Sequence, residues 1–491
     1  SKQIESESLI LHYDNIDSTE AKLIALTQEF YYSELQNQLN SKPSKKINVY
    51  LFNNREQKKL LFFFFNSDVA KPWQYSIYIS ADSWQRTLKH ELAHVFTAEF
   101  GTGPFKLAAG FNAALIEGMA ESLDGISNDI AIKDLTSLAY NNGYALEIKS
   151  LFAGLSFFKG NSTLAYTYSG AFIEYLIKNY GIEKVKKFYN TGDFESVFKT
   201  KIEIIQKEFE QSINSPEFSN QKQMAYYYFG RLSIIQKVCP RYIGDRLSEA
   251  YQYLSENKFE KAEILFKEIN NKTLNYSSLV GLSEIYYQRN KKNEAIQLIF
   301  NNYKKFTATA YFNNMIFRLA ELYSLNMQND SAAYYYKKII EDNPNHQLNY
   351  LCNTRISLLD ENKLHEYLDG SDSLKLKVLI SLNEKDYNYH SLPIMIDILQ
   401  SQNIDYKKSL SIFNKTFIVN NIESGYAAFK LSQYMLENYD FVNARKYAAL
   451  SLRYKEKNMF LTAIQAQFEK ASWFLKNSNR AMDKFVHATA Q

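Results

Sequence analysis

Cysteine is nearly absent: Cys239 and Cys352 are the only two in 491 residues. Two thiols exclude a disulfide framework and a cysteine-rich zinc site, and both read as small buried apolar residues. Long hydrophobic runs are missing too. The longest, Leu60 to Phe65, is far short of the roughly 20 residues that span a bilayer. Within it, Leu61 to Phe65 reads as a buried strand or helix turn, with a substrate-facing wall as the alternative. An excess of one charge is also lacking: 57 basic and 53 acidic residues leave a net charge of +4. That balance gives no case for nucleic acid as the main partner. Glycine is scarce in the second half. Twelve of the sixteen glycines precede residue 235, which suits a second half made of helices with short connections. No signal peptide is visible. The chain starts at Ser1 rather than a methionine, and the expectation leans towards an exported protein, periplasmic or extracellular, that has lost a leader or anchor.

What is present divides into two textures. Hydrophobic residues at 46% can build a substantial core, and charged residues at 22% are ordinary for a folded chain. Residues 1 to about 215 are mixed. Glu7 to Tyr13, Lys46 to Phe52 and Tyr75 to Ser80 read as short strands. Residues 216 to 491 read as helix after helix. Short polar breaks at Glu256-Asn257-Lys258, Arg289-Asn290-Lys291, Met327 to Asp330 and Glu437 to Asp440 are followed by Ala262, Ala295, Ala332 and Ala444. The alanines are 33, 37 and 112 residues apart. A small residue there lets the preceding helix approach closely. A period near 34 in helix pairs resembles the tetratricopeptide repeat, which implies a solenoid that recruits a protein partner. No repeats are assigned between 350 and 415. Tyrosine is abundant, with 38 copies, and is read as repeat packing. The lysine clusters at 42 to 46 and 184 to 187 are read as solvated faces.

One constellation carries chemistry. His90-Glu91-Leu92-Ala93-His94 lies in a segment with an apolar stripe of Trp84, Leu88, Leu92, Val95 and Phe96. Asp82 or Ser83 is placed to cap a helix running to about Phe100. Residues four apart share a helix face, so His90 and His94 can aim both imidazoles at one metal ion. Glu91, beside them, is placed to take a proton from water. With seven histidines in the chain, the pattern arises by chance on the order of 1% of the time. A third ligand is needed. The metzincin spacing fails, because Thr97 and Phe100 stand where glycine and histidine belong. Leu115 to Glu121 offers Glu117 as the ligand and Glu121, one turn on, as a hydrogen-bond partner for a ligating ring. Gly101, Gly103, Pro104 and Gly110 lie in the loop that must turn the chain back.

HELAH followed by IEGMAE resembles the gluzincin metallopeptidases, which include thermolysin, the aminopeptidase N group and the bacterial peptidase-MA-like domains. The resemblance covers residues 5 to 210. It implies an α+β thermolysin-like domain over 1–215, followed by an all-α, TPR-like repeat domain over 216–491, mostly helical in sum. It implies one catalytic Zn²⁺ on His90, His94 and Glu117, Glu121 behind them, and a peptide or protein substrate. It also implies that Tyr166 or Tyr168, before a helix from Ala171 to Tyr180, holds the oxyanion. In that family a tyrosine stands three residues before the glycine; here Thr167 does, flanked by the two candidates. A Gly-x-Met-Glu-Asn segment marks the aminopeptidases; this chain has Tyr75 to Ser80 instead, which favours an endopeptidase. That segment is expected at the sheet edge, free to pair with extended substrate. The alternative is a non-catalytic repeat scaffold with a retired peptidase-like domain.

Overall fold

The computed structural model describes residues 2–54, 58, 68–153, 156–231, 240–385, 389–417, 424–454 and 459–489. Leu60 to Phe65 and Cys239 lie outside them. The chain is mostly helical and divides into two compact units. The first joins Ser1–Ser219 to Ala428–Gln491, and the second is Asn220–Ala427. The sequence reading placed its boundary near 215. The difference lies in the tail, expected with the repeats and found in the first unit.

The first unit is built on a six-stranded sheet. Its strands are β1 (Lys2–Glu5), β2 (Leu9–Tyr13), β3 (Ile47–Phe52), β4 (Val69–Lys71), β5 (Ser76–Ser80) and β6 (Val486–Thr489). The spatial order is β4-β5-β3-β2-β1-β6. β2, β3 and β5 run parallel, whereas β4, β1 and β6 pair antiparallel to their neighbours. Alternation drives the three central strands. Leu9, Leu11, Ile47, Val49, Leu51, Ile77 and Ile79 are buried on one face. On the other face His12, Tyr50 and Tyr78 stand directly opposite one another. Their rings stack at 4.6 and 4.9 Å. The expectation that Tyr75 to Ser80 forms an edge is corrected. β4 pairs with β5 on its outer side, so β5 is interior and β4 is the edge.

Helix α1 (Ser18–Leu39) starts where the Asp17 carboxylate accepts from the amides of Thr19 and Glu20. Its buried residues, from Ala21 to Leu39, lie on more than one face. That suits a helix covered on two sides, and the tail supplies part of the cover. Phe30 packs against Trp473 and Phe474 on the helix Leu461–Met482. Lys430 pairs with Asp129 at 2.7 Å, the Tyr439 hydroxyl donates to the Thr19 carbonyl, and β6 extends the sheet beyond β1.

The second unit is a succession of antiparallel helix pairs. Ala262, Ala295 and Ala332 are fully buried, as the spacing requires. Gly281 shows why small residues recur: a Cβ there would lie 2.3 Å from the Phe266 ring. Ala250, Ala262, Leu265, Phe266, Leu282 and Ile285 form one core cluster. Turns between paired helices carry a left-handed residue at Asn257, Asn290, Met327, Asn362 and Asn403, and again at Tyr439 in the first unit. The intervals are 33, 37, 35, 41 and 36 residues. Helix pairs therefore continue through 350–415, where the sequence reading assigned none. Cys352 is buried, as expected.

Candidate metal centre

Helix α2 (Trp84–Phe96) begins at Ser83 and gives way to a 3-10 turn, Thr97–Glu99. The α-helix thus stops one turn short of Phe100. Trp84, Leu88, Leu92, Val95 and Phe96 are buried, which fixes the helix's rotation about its axis. With that stripe buried, His90 and His94 face another side together. Ser83 does not cap the helix with its own side chain. Its hydroxyl donates instead to Asp68 at 2.5 Å, and Thr87, one turn on, donates to the same carboxylate at 2.6 Å. Asp68 also takes the Ser80 amide and pairs with buried Lys58. No sequence motif marks Asp68. Only the i, i+4 hydroxyls of Ser83 and Thr87 hint at a shared acceptor.

Helix α3 (Ala113–Asp124) starts at Asn112, whose Oδ1 accepts from the Leu115 amide at 3.1 Å, and ends at Gly125 with φ +77°. It runs beside α4 (Ser162–Tyr180). Two glycines permit the approach. A Cβ at Gly118 would lie 2.9 Å from the Ser169 Cβ and carbonyl oxygen, and one at Gly170 would lie 2.6 Å from the Glu121 Cβ. The expectation that α4 begins at Ala171 is corrected. Asn161 caps it at Ser162, and Tyr166 to Gly170 are helical. Gly170 looks like a helix boundary in sequence, but its work is close packing. Gly170→Ala is expected to lower stability by about 1–3 kcal/mol. Thermal unfolding measures this; an unchanged midpoint would contradict the close-packing account.

Three side chains from α2 and α3 converge. His90 Nε2 and His94 Nε2 are 3.1 Å apart, and each lies 3.4 Å from Glu117 Oε2. Among the described residues, His90, His94 and Glu117 are the group of ligand atoms close enough to share an ion. The triangle fits zinc. At metal–ligand distances of about 2.0–2.1 Å, tetrahedral geometry separates ligand atoms by about 3.3–3.4 Å. Charge-assisted hydrogen bonds would be shorter, about 2.7–2.9 Å. Glu121 Oε1 lies 3.5 Å from His90 Nδ1, on the far side of that ring. His94 Nδ1 is buried without a hydrogen-bond partner.

The electrostatics are those of a cation site. Burial opposes charge on His90, yet its contact with Glu117 and the charges of Glu91, Glu121 and Glu117 push its pKa up to about 10. Burial raises the Glu117 carboxyl, but the charges and close contacts of His94 and His90 hold it well below the usual carboxylate range. Burial lifts Glu121 to about 7. Burial also raises Glu91, against the pull of His94 and His90. A carboxylate in that position is a stronger base than one in water.

The two candidate tyrosines separate. Tyr166 stands beside Glu117, and burial with the charges of Glu117, Glu121 and Glu91 holds its hydroxyl protonated far above the ordinary range. Its ring packs on Phe157 at 5.1 Å. Tyr168 is 1% exposed and turns towards the Leu146 backbone, away from the cluster. The expectation for Tyr168 is corrected. The two residues lie about 200° apart around α4, so they cannot serve the same site.

No family model matches the chain, and no curated protein matches it. A search of solved structures finds a signal transduction ATPase with numerous domains, with a tetratricopeptide repeat sensor, from Pyrococcus horikoshii. It is 14% identical over 96% of this chain and 83% of that one, at a TM-score of 0.21. At that score the superposition carries no argument about fold or activity. The assignment to the gluzincins is corrected: no family model of that or any other group matches the chain. What stands is a mostly helical chain with helical repeat-like pairs, a small mixed sheet, and the converging residues described above. No helix among the described residues is long and apolar enough to cross a membrane.

Proposed function

We propose that the chain is a repeat-bearing protein whose first unit carries a zinc-dependent hydrolase centre directed at peptide bonds. The observation that carries this reading is the triangle of His90, His94 and Glu117, whose edges match a tetrahedral zinc site. Zinc, when bound, supplies Lewis acidity: it lowers the pKa of a water to about 7 and polarises a carbonyl. Glu91, raised by burial, takes the water's proton and passes it to the leaving amine. Glu121 fixes the His90 ring through Nδ1. Tyr166 keeps its proton and offers it to the oxyanion. The helical pairs of the second unit present a surface for a protein substrate or partner.

A second reading is a non-catalytic interaction scaffold, favoured by the extent of the helical repeats. One experiment separates the two. Incubated with unfolded protein substrates, the full chain is expected to produce fragments that vanish with a chelator and return with zinc. Binding without cleavage, indifferent to chelator, would favour the scaffold.

A further inference from the structure

The first unit exposes three phenylalanines among its described residues: Phe105 at 43%, Phe111 at 62% and Phe158 at 58%. Their placement is not scattered. Phe105 and Phe111 sit on the loop joining α2 to α3, and Phe158 sits just before α4. These are the helices that carry His90 and His94, Glu117, and Tyr166.

The geometry brings the loops to one end of the site. Glu117 meets Tyr166, Gly118 meets Ser169, and Glu121 meets Gly170. These pairs advance in the same direction, so α3 and α4 run parallel and begin side by side. At the start of α3, Asn112 Nδ2 donates to the Phe152 carbonyl at 2.8 Å, six residues before Phe158. Phe158 follows Phe157, whose ring lies on Tyr166. Phe111 stands two residues before α3 and six before Glu117. Phe105 links Phe111, at 6.0 Å, to Trp73, at 5.0 Å. Trp73 lies in the turn between β4 and β5, so the aromatic group reaches back to the edge of the sheet.

A second observation concerns cost. Phe111 has φ +54°, a backbone region that bulky residues avoid. Glycine or asparagine would relieve the strain, and a polar side chain would remove the exposed ring. A strained and exposed aromatic beside a buried charge cluster contributes little to the fold, and such outliers gather at functional sites.

We infer that Phe111 and Phe158, with Phe105 and Trp73, form the subsite for an aromatic or large apolar side chain of the peptide. The inference rests on the hydrolase reading and adds its side-chain preference. The rings meet edge to face and at tilted angles, which leaves ring faces for one more aromatic group.

The test uses the full chain loaded with zinc and two peptidyl hydroxamates that differ only in one side chain, benzyl or methyl. Calorimetry reads both affinities. The benzyl compound is expected to bind at least tenfold more tightly. The double variant Phe111→Asn, Phe158→Ser suits the left-handed backbone and removes only exposed rings. It is expected to reduce the preference below threefold, with the methyl compound's affinity unchanged. Equal affinities on the unaltered chain, or a preference that survives in the variant, would overturn the subsite alone. Failure of both compounds to bind would overturn the metal reading, and the subsite with it.

Discussion

Glu91→Gln is expected to keep zinc and lose about 10²–10⁴-fold in peptide hydrolysis, the range for removing a positioned general base. The reasoning is local. Glu91 follows His90 on α2, so it stands beside the ligand face without contributing to the triangle. Its carboxyl is buried and raised, which suits proton uptake rather than ion pairing. The amide keeps the shape and most of the packing, and it cannot accept a proton at neutral pH. The loss should fall on kcat, because the group acts on protons in flight and not on substrate binding. Steady-state rates with the zinc content measured on the same sample decide it. Activity within threefold of the original would remove Glu91 from the mechanism.

Glu117→Ala is expected to abolish stoichiometric zinc binding. The three ligand atoms stand 3.1 to 3.4 Å apart, and removing one corner leaves two imidazoles. The substitution also removes a negative charge that helps keep the Tyr166 hydroxyl and the His90 ring protonated. Two ligands from one helix hold zinc far more weakly than three, and zinc content should fall from about one per chain to below about 0.1 after dialysis. Glu117 is half-buried on α3, whose own core contacts are Leu115, Met119 and Leu123, so the helix should survive the change. Circular dichroism beside the metal assay separates ligand loss from unfolding. Full zinc retention in a folded variant would show that Glu117 is not a ligand.

Much of this cluster was legible in the sequence because short-range helix geometry writes itself into spacing. His90 and His94 share a face by periodicity, and the buried stripe from Trp84 to Phe96 sets which face. Glu117 and Glu121 follow the same rule one loop later. What lay beyond legibility depends on contacts between distant segments. Gly170 resembles a helix stop, but it is a contact point for Glu121. Tyr166 and Tyr168 are equivalent as residue types, and only the rotation of α4 separates them. Asp68 serves two hydroxyls on α2 and carries no motif.

The repeats teach the same lesson at larger scale. Glu361-Asn362-Lys363 repeats the turn at Glu256-Asn257-Lys258, and Asn362 takes the same left-handed conformation as Asn257. The following helix lacks the expected early alanine, beginning Leu364-His365-Glu366-Tyr367, and so the reading lost the period there. The tail misled differently. Ala444 is fully buried in its helix, as Ala262 is, but its helix belongs to the first unit. Amphipathic period reports that a face is buried; it does not report against what.

The central claim is that His90, His94 and Glu117 hold one zinc ion. Elemental mass spectrometry of the purified full chain, after exposure to zinc and dialysis, tests it most directly. The account predicts about one zinc per chain. A chain that is folded and retains no zinc would contradict it.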